Sequence, residues 1–169
     1  MFQVGDMCVH PDYGAGVVTD IKEMGFLGNE RKRYYSIALL SQPETTVMVA
    51  VRNEERVGLR SPISRTKLRR IWHILRASPR TLPSDHKKRN AMLQQRLDEK
   101  DILETARILR DLAWRKEDRQ SLTVRGKRLY EKCLELLASE VAGAQGSGFD
   151  TAEAQIADRL DASLSSAVP

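Results

Sequence analysis

Little in this chain invites a chemical reading. It holds two cysteines in 169 residues, Cys8 and Cys133, and three histidines, His10, His73 and His86. The cysteines fall in different predicted modules, so two reduced, buried thiols are expected rather than a disulfide. None of the histidines has the i+3 or i+4 partner that a helical metal site would use. His10 and His73 therefore read as packing or solvation residues. There is no P-loop, no nucleophile elbow and no paired-cysteine motif. Gly14-x-Gly16 lacks the third glycine of a dinucleotide fingerprint and leads into a strand pattern, so it reads as a tight hairpin. No catalytic residue, metal or cofactor is expected. No apolar run approaches the roughly 18–20 residues needed to span a bilayer. The N-terminal Met1–Cys8 stretch lacks the basic and apolar regions of a signal peptide, which points to the cytoplasm and away from membranes.

What the chain does have is segregated charge. The net charge is −1 over residues 1–60, +11 over 61–132 and −5 over 133–169. A near-neutral head followed by a strongly basic middle suggests two tasks, the second of them a grip on a polyanion such as nucleic acid.

The head reads as strands. Met7–His10, Val17–Met24, Arg33–Leu40 and Thr45–Val51 are short apolar or β-branched runs. They are separated by the turn clusters Pro11–Gly16, Gly28-Asn29 and Ser41–Glu44. That pattern predicts a small antiparallel barrel or strongly curled sheet. After Pro62 the period becomes helical. Leu68, Ile71, Trp72 and Leu75 open the first helix, with Ser64 before it. A second helix with thin apolar content starts at Ser84 or Asp85 and should be mostly exposed. A third runs from Asp101 to about Lys116, and a fourth from about Thr123 to Val141. Residues 142–149 read as a flexible joint. Asp150, with Glu153 three residues on, resembles a capping box opening a terminal helix over 150–164. The predicted class is α+β, strands then a bundle of about five helices, with residues 1–60 and 61–169 as the two domains.

Two basic clusters fall at predicted helix starts, His86-Lys87-Lys88-Arg89 and Arg125-Gly126-Lys127-Arg128. Helix N-termini add backbone N–H donors to side-chain charge, which suits phosphate contact. Charge alone carries no base sequence information, so backbone binding is expected.

The motifs Phe2-Gln3-Val4-Gly5-Asp6, Val9–Val18, Val57-Gly58-Leu59-Arg60, Ala106–Leu112 and Gly126-Lys127-Arg128-Leu129 together resemble the CarD/CdnL family of bacterial RNA polymerase-binding transcription regulators. The head motif alone is shared with the polymerase-interacting module of the transcription-repair coupling factor; the helical half separates the two. The resemblance implies a Tudor-like, SH3-like β domain that docks on the polymerase β subunit. It also implies a helical domain that contacts promoter DNA, backbone and minor groove, at the upstream edge of the transcription bubble. A non-enzymatic, monomeric, nucleoid-associated regulator of open-complex stability follows. His86, Lys87, Lys88, Arg89, Arg125, Lys127 and Arg128 become candidate DNA contacts. Met24, Gly25, Phe26, Leu27 and Met48 become candidate polymerase contacts. Two departures stand out. The family's wedge tryptophan aligns with His86, a weaker apolar wedge. Two positions that are basic in well-known members align with Met24 and Met48, which leaves strand pairing and apolar contact to carry docking. A polymerase-bound adaptor, whose helices contact another protein, is the alternative.

Overall fold

A computed structural model describes residues 1–25 and 30–166. Four strands form one antiparallel sheet in sequence order: β1 (Met7–His10), β2 (Gly14–Met24), β3 (Lys32–Leu39) and β4 (Thr46–Ala50). β2 and β3 pair from Gly16↔Leu39 to Met24↔Lys32, with a bulge at Thr19 that sharpens the curl. Val18, Tyr35, Ile37 and Val49 point inward with Cys8 and Leu59. A short 3-10 turn (Val51–Asn53) and a one-turn helix, α1 (Glu54–Val57), follow β4. Gly58, left-handed at φ 77°, ends α1 and returns the chain to β1, where Val9 and Arg60 exchange both backbone hydrogen bonds. That bridge covers the outer edge of β1. The strand prediction ran Thr45–Val51 as one element and missed this helical turn.

The helices are α2 (Arg65–Arg76), α3 (His86–Asp98), α4 (Ile102–Arg119), α5 (Val124–Gln145) and α6 (Phe149–Ser166). The architecture is α+β, strands then helices, as the periodicity indicated. Each of α2 to α5 begins on the side chain that local chemistry favours. Ser64, Asp85, Asp101 and Thr123 accept from the backbone N–H of Lys67, Lys88, Leu103 and Gly126 respectively. α4 and α5 form the centre of the bundle, with Ile108, Leu109, Leu112, Leu137 and Val141 fully buried.

Two expectations need correction. α5 continues through Gln145, so Gly143 and Ala144 are helical and not part of a joint; only Gly146–Gly148 separate α5 from α6. Gly143 serves close packing: a Cβ there would sit 3.2 Å from Ala15 Cβ and 3.5 Å from Met7 Cγ, so its absence lets the sheet rest on the helix. α6 starts at Phe149, which places Asp150 inside the first turn and not at the cap. A carboxylate there still complements the helix dipole.

The sheet and the bundle are locked along one face of α5. Ala15 N–H donates to Ser139 Oγ at 3.1 Å, and Ser139 Oγ donates to the Leu136 carbonyl. Gly14, at φ +83°, leaves room for that serine; a Cβ would collide with Ser139 Oγ. Arg60 forks onto Glu140, Nη1 to Oε1 at 2.9 Å and Nη2 to Oε2 at 2.8 Å, and Ile63 N–H donates to the same carboxylate. Lys132 Nζ donates to the Asp12 carbonyl and Ser41 Oγ to Glu135.

Candidate nucleic-acid interface

The two basic clusters are distant in sequence and adjacent in space. α3 packs on α4 and α5, and Asn90, one turn into α3, donates from Nδ2 to Thr123 Oγ1 at 3.3 Å. Thr123 is the N-cap of α5. One hydrogen bond therefore pins the start of α3 to the start of α5 and brings two helix N-termini together. His86, Lys87, Lys88, Arg125, Lys127 and Arg128 are all exposed; Arg125 and Arg128 line one cleft with Gln94 and Leu97, and Lys127 another with Lys116 and Tyr130. Among the described residues none of these six takes part in an ion pair.

Arg89 departs from that pattern. It is only 4% exposed, and its Nη1 donates to the carbonyls of Pro83 and Ser84. Burial and the neighbouring Arg115 both pull its pKa below the ordinary guanidinium value. Arg89 anchors the loop that leads into α3, so the expectation of a four-residue exposed run is corrected to three. Its position four residues before the buried Leu93 was the available signal, since i and i+4 share a helix face.

Two residues that sequence reasoning passed over adjoin this surface. Arg115 and Arg119, one turn apart on α4, line a cleft of about 440 Å³ with Ser84, Ser121 and Thr123. Arg119 is paired with its neighbour Asp118, whereas Arg115 has no carboxylate partner among the described residues. Their i, i+4 spacing was legible, but their convergence on the α3 and α5 starts was not.

The loop that carries α3 is held by charge. Arg80 Nε donates to Asp111 Oδ2 at 2.7 Å and Arg80 Nη1 to Glu104 Oε1 at 2.7 Å. Arg110 binds the other oxygen of Asp111 and reaches the Ile74 carbonyl. Arg110-Asp111-Leu112 thus ties α2, the 77–85 loop and α4 together.

On the sheet, β4 is an edge: among the described residues no strand pairs with its outer side. Register places Met24 opposite Lys32 and Met48 opposite Ser36, so the two methionines share the face away from the core. Met48 is 42% exposed, Gly25 is exposed and Met24 is half-buried. A groove of about 630 Å³ is lined by Thr46–Ala50 of β4 together with Tyr13, Tyr34 and Val57. Phe26 and Leu27 lie outside the described residues.

Other reactive groups are held inert. Burial pushes the Cys8 thiol up to about 11 and the Cys133 thiol up to about 12, so neither is a thiolate at neutral pH. His10 Nδ1 accepts from Asp12 N–H at 3.1 Å, and burial lowers its pKa. Its 4.0 Å approach to the Asp12 carboxylate is therefore a neutral contact near pH 7. No cluster of His, Cys, Asp or Glu among the described residues could hold a metal ion, and no described helix is long and apolar enough to cross a membrane.

Comparison with known proteins covers both halves. The family profile described as "CarD-like/TRCF RID domain" matches residues 2–63, and that described as "CarD, C-terminal domain" matches residues 70–157. The chain is 31% identical over 148 residues to "Putative transcription factor YdeB" of Bacillus subtilis (strain 168), covering 86% of this chain and 94% of that protein.

Proposed function

The chain belongs to the CarD-like family of transcription regulators, and from that premise we propose that residues 1–60 dock on the RNA polymerase β subunit while the helical half, residues 61–169, grips promoter DNA. The family interacts with RNA polymerase and is one of regulators, not enzymes. The protein then acts by biasing an equilibrium. Preferential binding to the open promoter complex stabilises that state by its difference in affinity between states and by no more.

The observation that carries the DNA half is the junction of α3 and α5, where the Asn90–Thr123 bond joins the two helix starts that carry the exposed Lys87, Lys88, Arg125, Lys127 and Arg128. The unpaired edge of β4 supports the polymerase half, because an extended segment can add to it through backbone hydrogen bonds beside the exposed Met48. If those five cations each neutralise a phosphate, log K falls with log salt at a slope of about −4.5.

An open-complex lifetime assay at two salt concentrations tests this with the full chain. Replacing Lys87, Lys88, Arg125, Lys127 and Arg128 by Gln should abolish the effect on lifetime while leaving polymerase binding intact. Met48→Asp should weaken polymerase binding. An unchanged lifetime effect in the five-site variant would sink the DNA half. His86 favours a second reading. An exposed imidazole in place of an aromatic wedge suits an adaptor whose helices meet another protein. That reading gains if His86→Ala and the five-site variant both leave DNA binding and lifetime untouched.

A further inference from the structure

α2 is more basic than its packing requires. Leu68, Ile71, Ile74 and Leu75 face the bundle and are buried. The opposite arc carries Arg65, Arg69, Arg70, His73 and Arg76, all exposed. At 3.6 residues per turn these five occupy an arc of about 140°, and Arg65, Arg69 and Arg76 fall nearly in line over about 16 Å of axis. The helix contains no Asp or Glu. Among the described residues none of the four arginines takes part in an ion pair. Like charges one turn apart disfavour the isolated helix, so the fold gains nothing from this arrangement.

α6 extends the same face. The Arg159 guanidinium stacks 3.7 Å over the half-buried Trp72 ring, and its buried Nε has no hydrogen-bond partner. Burial and the nearby Arg76 both work against its charge, with Asp158 as the opposing carboxylate. The edge of the arginine row thus holds a planar guanidinium–indole stack, with Arg159 Nη1 donating to the Gln155 carbonyl.

The location separates this face from the interface already described. α2 packs chiefly on α4 and α6, with a smaller contact to α5, whereas α3 packs on α4 and α5. We propose that the exposed face of α2, with Trp72 and Arg159 at its edge, is a second phosphodiester-binding surface that works independently of the α3–α5 surface. A nucleic-acid backbone fits better than an acidic peptide. The cations are guanidiniums, suited to bidentate phosphate contact, set in line, and bordered by an aromatic plane. One chain can then hold two stretches of nucleic acid, or one stretch that wraps across the bundle.

The test uses the full chain and fluorescence anisotropy with a labelled 30-base-pair duplex across a salt series. The variant lacking Lys87, Lys88, Arg125, Lys127 and Arg128 should still bind duplex, with a log–log slope of about −3.6 for four remaining phosphate contacts. Adding Arg65→Gln, Arg69→Gln, Arg70→Gln and Arg76→Gln should remove that residual binding. These are exposed sites, and an unchanged thermal midpoint confirms folding. In a Trp114→Phe background, Trp72 fluorescence should change on duplex addition to the five-site variant. Loss of all binding in the five-site variant, with no Trp72 response, overturns the proposal and leaves the earlier functional reading standing. It is also overturned if the four α2 substitutions leave duplex affinity and slope unchanged and weaken only binding to polymerase. In that case the face meets an acidic protein.

Discussion

The Arg60–Glu140 fork makes the coupling between sheet and bundle measurable. Glu140 is 1% exposed, whereas the Arg60 side chain is 41% exposed. The two ends of the pair should therefore respond differently to removal. Arg60→Ala strands a buried carboxylate that keeps only the Ile63 N–H, and uncompensated buried charge costs about 3–5 kcal/mol. Glu140→Gln keeps the shape and one acceptor, and the guanidinium can turn toward water. The loss there is that of charge-assisted hydrogen bonds, about 2 kcal/mol. The double variant Arg60→Ala/Glu140→Gln removes the stranded charge, so it should be less damaged than Arg60→Ala alone, at about 2–3 kcal/mol below the parent. Urea unfolding of the four proteins, followed by circular dichroism, gives the cycle. Thermal midpoints offer a check, with Arg60→Ala lowered by about 10 °C at ~2–4 °C per kcal/mol for a chain of this size. Additive losses, with the double variant the least stable of the four, would refute the reasoning. The fork would then be a surface pair whose geometry does no energetic work.

Three further outcomes follow from neighbouring contacts. Burial lowers the folded-state pKa of His10 from 6.5, so its stabilisation is complete above about pH 6.5 and is lost as pH falls through the lower value. The thermal midpoint should drop between pH 7 and 5, less so in His10→Gln, and an equal drop in both would count against the buried neutral ring. Asp111→Ala should cost about 3–5 kcal/mol because it leaves the buried Arg110 with no carboxylate, only the Ile74 carbonyl, and Arg80 with Glu104 alone. Arg80→Ala should cost only about 1–2 kcal/mol, since Arg110 still holds the carboxylate. Hydrogen exchange in Arg80→Ala should rise in α3 before α4, and uniform change would place the anchor elsewhere. Gly14 and Gly5 both sit at positive φ, +83° and +93°, but only Gly14 faces a neighbour. Gly14→Ala should therefore destabilise by at least ~1 kcal/mol more than Gly5→Ala in urea unfolding, beyond the strain common to both. Equal losses would mean Ser139 moves aside freely.

Elements governed by local chemistry were legible before the structure. The strands declared themselves as short apolar, β-branched runs between turn clusters, and the helices by the change of period near Ser64, Asp85, Asp101 and Thr123, each of which the structure makes a cap. α1 was missed because Val51 extends the β-branched run of β4, and nothing in Glu54–Val57 competes with it in apolar content. Glu140 and Gly143 sit in the apolar stretch of a helix, and their partners Arg60 and Ala15 are distant in sequence. A carboxylate among apolar residues says that a cation is near, but not which one. The same limit applied to the site. The two basic clusters could be read, whereas their juxtaposition rests on Asn90 meeting Thr123, a contact between two unremarkable polar residues.

That limit bears on how the protein works. A head and a bundle joined by a loose linker would act by raising the local concentration of one partner near the other. Here β2, Arg60 and the Pro11–Tyr13 turn all rest on α5, and α5 itself begins at the cationic surface. The distance from the β4 edge to Lys87 and Arg128 is then set by packing along one helix and not by a chain ensemble. Under the proposed reading, both contacts form together only on complexes that present polymerase and DNA at that separation. Discrimination between promoter states then comes from geometry, and the cations supply affinity without base preference. On that reading, His86 at the position of the family's wedge aromatic weakens one way of favouring an opened duplex but leaves the spacing unchanged. Loosening the Arg60–Glu140 fork does the reverse: it keeps every contact residue and removes the fixed separation between them.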